Sequence, residues 1–275
     1  MMLGVRAHDF GKLTVEELAD RISEKGISYI QLALSKAVAG IDTGDGRLNP
    51  GMAYYIRDVF QRKNIQIAVL GCYINPVHPD RDTRKRLIGR FKEHIRYVRD
   101  FGCSIVATET GSVNADYSFN PENHSDASLK TLIESVGEFV EEAEKWGVIV
   151  GIEGVARHVV NTPEKMRYVL DTIKSNNLQI VLDPVNYLDE NNYSRQDEVI
   201  KQSFELLGDN VVTIHAKDFI MDSGKIKSVE AGRGSLNYEL LFRLVKERKP
   251  YVNILLENAK MPTIDESLDY VRNIY

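Results

Sequence analysis

Four short apolar segments in the second half of the chain each end in a side chain that can bind a metal ion. The terminal residues are Glu153, Asp183, His215 and Glu257, and each follows a run of Val, Ile and Leu. Such continuous runs are typical of parallel strands buried on both faces. A buried charge without a partner costs several kcal/mol, so these side chains need a common partner. Three carboxylates and one imidazole favour a divalent cation in that role.

The spacing of these four residues predicts the fold. They are separated by 30, 32 and 42 residues, each about the length of one strand and one helix. The tips of four such strands converge only if the sheet closes on itself. We therefore expect an α/β protein with a (β/α)8 barrel, whose active site lies at the C-terminal ends of its strands. The chain of 275 residues is close to the roughly 250 typical of one such barrel, so we expect a single domain over residues 1–275.

Strand and helix signals alternate along the whole chain and agree with a barrel. The first strand is predicted at Leu3–Ala7 and a long helix at Ser125–Trp146. Capping boxes, in which Glu follows Thr by three residues, are predicted at Thr14 and Thr263. An open doubly wound sheet is the competing fold, but it needs a Gly-rich phosphate-binding turn after the first strand. Residues 7–11 are not one.

Composition excludes several classes of function. The net charge of −5 and the lack of a basic run argue against nucleic acid as a partner. No apolar run reaches the roughly 18 residues of a membrane span, and no signal peptide is visible, so we expect a cytoplasmic protein without a membrane partner. The two cysteines offer no disulfide framework. A homo-oligomer is compatible with this pattern, although no residue indicates one.

Several segments that contain these residues carry a family resemblance. The chain resembles the metal-dependent sugar isomerase and epimerase superfamily of xylose isomerase-like barrels, and within it the ketose 3-epimerases such as tagatose epimerase. The segments that carry the resemblance are Glu153–Arg157, Asn161–Thr162, Leu182–Asn186, Ile214–His215, Gly232–Gly234 with Leu236–Tyr238, and Leu256–Glu257.

The resemblance implies both a cofactor and a reaction. One divalent metal ion would be held by Glu153, Asp183, His215 and Glu257, with manganese as the first expectation and magnesium, cobalt or zinc as alternatives. Glu153 and Glu257 would also be the catalytic bases. One would remove the proton next to the carbonyl of a small sugar or sugar phosphate, and the other would return it while the metal stabilises the enediolate.

Five further residues are candidates for substrate binding. Asn186 stands where the family commonly has histidine, and its amide can hydrogen-bond a sugar hydroxyl. Arg157 matches a family position, and Glu109, Lys217 and His78 follow strand ends, although a structural ion pair would also account for each charged one. His158, in contrast, is expected at the surface.

Other functions fit the same barrel. A lyase of the inosose dehydratase type would use the same metal and carboxylates to eliminate water. A DNA repair enzyme of the endonuclease IV type would need a histidine-rich cluster of three zinc ions. The chain has only six histidines, and Glu230-Ala-Gly232 stands where an Asp-x-His pair would be expected. A sugar-binding protein without catalytic activity is the remaining alternative.

Overall fold

Eight parallel strands close into a barrel in the computed structural model, which describes all 275 residues. The barrel strands are β1 (Met2–Arg6), β2 (Tyr29–Leu32), β3 (Gln66–Gly71), β4 (Ile105–Glu109), β5 (Ile149–Glu153), β6 (Leu178–Leu182), β7 (Val211–Ala216) and β10 (Asn253–Leu256). Their order around the barrel is β1-β10-β7-β6-β5-β4-β3-β2, and every neighbouring pair is parallel. The predicted (β/α)8 fold is therefore confirmed.

Nine α-helices accompany the barrel strands. Their apolar faces are buried and join the barrel in one continuous hydrophobic core. None of these helices is both long enough and apolar enough to span a membrane. The helices are α1 (Val15–Glu24), α2 (Leu34–Ala37), α3 (Pro50–Arg62), α4 (Arg81–Tyr97), α5 (Asp126–Trp146), α6 (Pro163–Ile173), α7 (Gln196–Leu207), α8 (Tyr238–Arg248) and α9 (Ile264–Ile274).

A two-stranded antiparallel hairpin interrupts the barrel rhythm after β7. Its strands are β8 (Asp218–Asp222) and β9 (Lys225–Val229). This hairpin was not predicted from the sequence. It occupies the chain between His215 and Gly232.

The two predicted capping boxes have different outcomes. At the start of α1, the Thr14 hydroxyl accepts from the Glu17 backbone and the Glu17 carboxylate accepts from the Thr14 backbone, as predicted. At α9 the prediction is wrong. Thr263 has helical backbone angles, and the hydrogen of its hydroxyl lies within reach of two acceptors, Glu230 and the carbonyl of Lys260. The hydroxyl oxygen accepts from no amide of the first turn, so it does not cap the helix.

Strand register brings the metal-binding candidates to one end of the barrel. Strand β10 pairs with both β7 and β1, so the last strand closes the barrel against the first. Glu109 on β4 lies directly beside Glu153 on β5. The C-terminal ends of all eight strands therefore surround one mouth, where residues distant in sequence can meet.

Candidate metal centre

The four predicted ligands lie together and are buried at the mouth of the barrel. One potential ligand atom from each of Glu153, Asp183, His215 and Glu257 lies within 4.8 Å of the others. The four side chains come from the ends of β5, β6, β7 and β10, as the strand-tip pattern predicts.

The donor set fits a divalent cation. Two ligands on opposite sides of one ion, each about 2.0–2.4 Å away, would lie about 4–4.8 Å apart, and the cluster has this size. The Asp183 Oδ2 atom is also buried and accepts no well-directed hydrogen bond, although the Lys217 ammonium lies 3.0 Å from it. Its other oxygen, Oδ1, accepts from the backbone amides of Val185 and Asn186, which aims Oδ2 into the cluster. Burial, only partly opposed by Lys217, raises the pKa of Asp183 to about 6.

His215 faces two carboxylates through one ring nitrogen. Its Nδ1 lies 3.1 Å from Glu153 Oε1 and 3.4 Å from Glu257 Oε1. Burial lowers the pKa of this imidazole, but Glu153, Glu257 and Asp183 outweigh that effect and raise the pKa to about 9. A cation in the cluster would therefore take the place of a proton on Nδ1.

Two permanent cations bind Glu257. The Arg6 guanidinium donates to Glu257 Oε1 at 2.7 Å, and the Lys217 ammonium donates to Oε2 at 2.8 Å. Burial would raise the pKa of this carboxyl, yet Lys217, His215 and Arg6 hold it well below its usual range. Lys217 also lies 3.0 Å from Asp183 Oδ2. Each carboxylate oxygen has two lone-pair sites, so these contacts leave room for a metal bond.

Glu153 has different neighbours. Its Oε1 accepts from the Asn186 amide at 2.7 Å and contacts His215, and no other side chain is hydrogen-bonded to its carboxylate. The Asn186 oxygen accepts from Lys217 at 2.7 Å, and Lys217 donates to Glu257. The Asn186 amide therefore connects Glu153 with Glu257 through Lys217. The residue after Glu153 must be small, because a Cβ at Gly154 would lie 2.4 Å from the Tyr187 hydroxyl.

Of the five predicted substrate-binding residues, three lie at or beside the metal-binding cluster and two do not. Asn186 and Lys217 belong to the cluster itself, and Glu109 adjoins it beside Glu153. Burial and the nearby Glu257 raise the pKa of Glu109. Arg157 is exposed over the ring of Phe119, and His78 accepts from the backbone of Asp80; neither is bonded to the four ligands.

The expectation that His158 lies at the surface is wrong. Only 8% of the residue is exposed, and its Nδ1 lies 3.6 Å from Glu109 Oε2. Burial lowers the pKa of this imidazole to about 4, so the ring is neutral at physiological pH. The loop after β5 folds back towards the mouth, and a local sequence pattern does not reveal that path.

Three residues near the mouth escaped the sequence analysis as site residues. Arg6 ends β1, Gln31 is the third of the four residues of β2, and Tyr73 lies two residues after β3. They contact the metal-binding candidates directly or through one another. Arg6 and Gln31 occupy strand ends, as the four ligands do, which was the available signal. Neither is a usual metal ligand, so the pattern of metal-binding residues at strand ends does not include them.

One surface groove is separate from this centre. It has a volume of about 520 Å³ and lies between α6 and α7, outside the barrel. Charged and amide side chains line it, including Glu164, Arg195 and Lys201. We place the chemistry at the strand ends because potential ligands converge there and not in the groove.

Comparison with known proteins agrees with this architecture. The profile of the xylose isomerase-like TIM barrel family matches residues 19–274. The chain belongs to this family. A search of curated proteins finds no matching relative.

Solved structures with the same fold include sugar epimerases. The chain is similar to a D-tagatose 3-epimerase-like protein (19% identity, TM-score 0.74, 99% of both chains covered). It is also similar to the 3-keto-D-glucoside 4-epimerase YcjR from E. coli (15% identity, TM-score 0.75, 99% of both chains). A third is the IOLI protein with a bound zinc atom (17% identity, TM-score 0.73, 100% of this chain and 96% of that one). At these identities, the likeness shows the fold.

Proposed function

We propose that this protein is a divalent-metal-dependent isomerase or epimerase that acts on a small sugar or sugar phosphate. The observation that carries the proposal is the buried cluster of Glu153, Asp183, His215 and Glu257 at the barrel mouth. The epimerases among its structural neighbours support the same class of reaction. Manganese is the metal that we test first, and magnesium, cobalt and zinc are the alternatives.

The two glutamates would exchange protons with the substrate. When bound, the cation supplies a Lewis acid that stabilises negative charge on the substrate carbonyl oxygen. The Glu153 carboxylate has one oxygen that accepts no hydrogen bond from another side chain, and this oxygen would remove the proton from the carbon next to the carbonyl. Glu257, on β10 and three strands away from β5 around the barrel, would return a proton taken up from solvent to the other face of that carbon.

Other residues of the mouth would orient the sugar. We propose that Asn186 and Lys217 donate to substrate oxygens from within the cluster and that Glu109 accepts from a hydroxyl. Arg157 and His78 would contact only a substrate, or a phosphate on it, that extends towards the rim of the mouth. All five are polar or charged, as expected for a site that binds several hydroxyl groups.

Proton exchange with solvent tests the proposal. Metal-free protein is loaded with manganese and incubated in heavy water with a panel of ketoses, aldoses and their phosphates. We expect deuterium at the carbon next to the carbonyl of one substrate, together with formation of its epimer or isomer, by NMR and mass spectrometry. The same incubation with a chelator, or with Glu153→Gln, serves as the control.

The product distinguishes this proposal from the alternatives. Loss of water from the substrate would replace it with the lyase of the inosose dehydratase type. Metal binding without exchange on any member of the panel would contradict the proposed activity and favour a binding protein.

A further inference from the structure

A buried chain of hydrogen bonds lies behind His215, on the side away from the four-ligand cluster. The His215 Nε2 atom lies 2.6 Å from Gln31 Oε1, and the Gln31 amide nitrogen donates to the Tyr73 hydroxyl. Gln31 is 0% exposed and His215 is 1% exposed. The Lys36 ammonium lies 4.1 Å from the centre of the Tyr73 ring and packs over its face. These contacts link β7 with β2 and β3, which bear none of the four ligands.

The contacts of the imidazole decide which nitrogen faces a cation. Nδ1 faces only acceptors, the Oε1 atoms of Glu153 and Glu257. A cation bound there requires a lone pair on Nδ1, and a neutral imidazole then carries its hydrogen on Nε2. That hydrogen needs an acceptor, because an unsatisfied buried donor is costly. The carbonyl oxygen of Gln31 is the acceptor in reach.

The orientation of the Gln31 side chain therefore matters. An amide turned over would present its NH2 group to Nε2 and favour the opposite tautomer of His215. The Tyr73 hydroxyl accepts from the amide nitrogen in this orientation, and a hydroxyl could also donate to an amide oxygen, so the Nε2 hydrogen of His215 is the group that selects the Gln31 oxygen. Gln31 is neutral, so it fixes the imidazole without adding a fourth negative charge to a cluster with three carboxylates.

We propose that Gln31 is a positioning residue for the metal centre. It accepts the Nε2 hydrogen of His215 and so holds the imidazole ring with the Nδ1 lone pair facing the cation, and Tyr73 supports the Gln31 amide through a hydrogen bond. The inference rests on the proposed metal-dependent function, but it concerns residues outside the ligand set. Groups behind a metal-bound histidine orient the ring and typically change metal affinity by about 10- to 100-fold when they are replaced.

Cobalt binding provides a test that does not depend on activity. The affinity for Co²⁺ is measured by titration calorimetry, and the visible spectrum of the bound ion reports its ligand geometry. We expect Gln31→Leu to weaken Co²⁺ binding by about 10- to 100-fold and to alter the spectrum. Gln31→Glu keeps an acceptor for Nε2 and should restore both. Gln66→Leu, at an exposed position on β3, is the matched control and should match wild type.

Two measurements keep the proposal testable if Gln31→Leu does not fold. Tyr73→Phe should weaken Co²⁺ binding less than Gln31→Leu would, by about 2- to 10-fold, since the acceptor for Nε2 remains but its amide loses one supporting hydrogen bond. In zinc-loaded wild type, nitrogen NMR of the histidine rings should show the hydrogen of His215 on Nε2.

The outcomes separate this inference from the proposed function. Wild-type protein that binds neither Co²⁺ nor another divalent ion overturns both. Wild-type protein that binds Co²⁺, with a Gln31→Leu variant of equal affinity and unchanged spectrum, overturns only the role of Gln31. A hydrogen on Nδ1 of the zinc-loaded protein also overturns that role alone.

Discussion

The two glutamates of the centre have contrasting surroundings. Glu257 accepts from Arg6 and Lys217, which carry permanent charges. Glu153 accepts from the neutral amide of Asn186 and faces His215, which can lose its proton. The partners of Glu257 therefore keep their positive charge when a cation binds. On the Glu153 side, His215 can release a proton at that point.

This contrast suggests a division of labour between two side chains of the same type. A carboxylate held between two cations is a weak base, so Glu257 suits the roles of anchor and of proton donor once protonated. The Glu153 carboxylate is not held between two permanent cations and keeps one oxygen without a side-chain donor, so Glu153 is better placed to begin the reaction. Asn186 is hydrogen-bonded to both Glu153 and Lys217, so it links the two sides.

The largest expected effect is on turnover at Glu153. Glu153→Gln keeps an oxygen ligand and nearly the same volume but removes the base, so turnover should fall by about two to four orders of magnitude. Substrate affinity should change far less. The measurement is steady-state kinetics at saturating metal, with deuterium exchange as a second readout. An exchange rate equal to that of wild type, with metal in place, would show that another group is the base.

Replacement of Glu257 should affect stability more strongly than replacement of Glu153. Glu257→Gln leaves Arg6 and Lys217 with one carboxylate fewer in a buried site, and loss of one partner of a buried ion pair costs about 3–5 kcal/mol. The cost of Glu153→Gln is smaller because His215 can release its proton when its partner is neutralised. Urea unfolding of the two metal-free variants measures the difference. Equal losses would remove the contrast between the two sides.

Metal affinity should rise with pH because a proton and the cation compete for His215. The pKa of this imidazole is raised to about 9, so Nδ1 is protonated at neutral pH in the metal-free protein. Affinity should increase by about tenfold per pH unit between about pH 7 and 9 and then level off. Calorimetry in buffers of different ionisation enthalpy counts the released protons. Binding without proton release at pH 7 would contradict the raised pKa.

The smallest expected effect concerns the residue between the two sides. Asn186→Ala removes hydrogen bonds to Glu153 and Lys217 and should lower kcat/KM by about tenfold, which corresponds to the low end of the roughly 1.5–3 kcal/mol that a hydrogen bond to a charged group is worth. The main change should be in KM, with metal affinity little altered. Asn186→His introduces the residue that is common in the family. A loss of metal affinity in Asn186→Ala as large as that in Asp183→Ala would make Asn186 a ligand instead.

The convergence of the four metal-binding candidates could be predicted because strand-end residues of parallel strands share one edge of a sheet. Glu153, Asp183 and His215 each interrupt an apolar run, and their types point to one chemistry. The partners of these residues could not be predicted in the same way. Arg6 meets Glu257 only because β1 pairs with β10, and this contact joins residues at the two ends of the chain.

Residues in the loops were the least predictable. His158 and the hairpin of β8 and β9 depend on how loops fold over the barrel mouth, which apolar periodicity does not describe. Thr263 is a related case in which a local pattern gave a wrong prediction. Its Thr-x-x-Glu pattern is local, but the hydroxyl is bonded to Glu230, a residue distant in sequence.

The carboxylate of Asp218 ties together the two ends of the segment that contains the hairpin. Asp218 follows Lys217, is 1% exposed, and accepts from the backbone amides of Phe219, Gly232 and Leu236. The two ends of the inserted segment are thus clamped at its base, whereas residues 222–225 at the tip are exposed. The tip is therefore a natural point for grafting: a loop of different length or a reporter peptide inserted there would leave Lys217 and His215 in place.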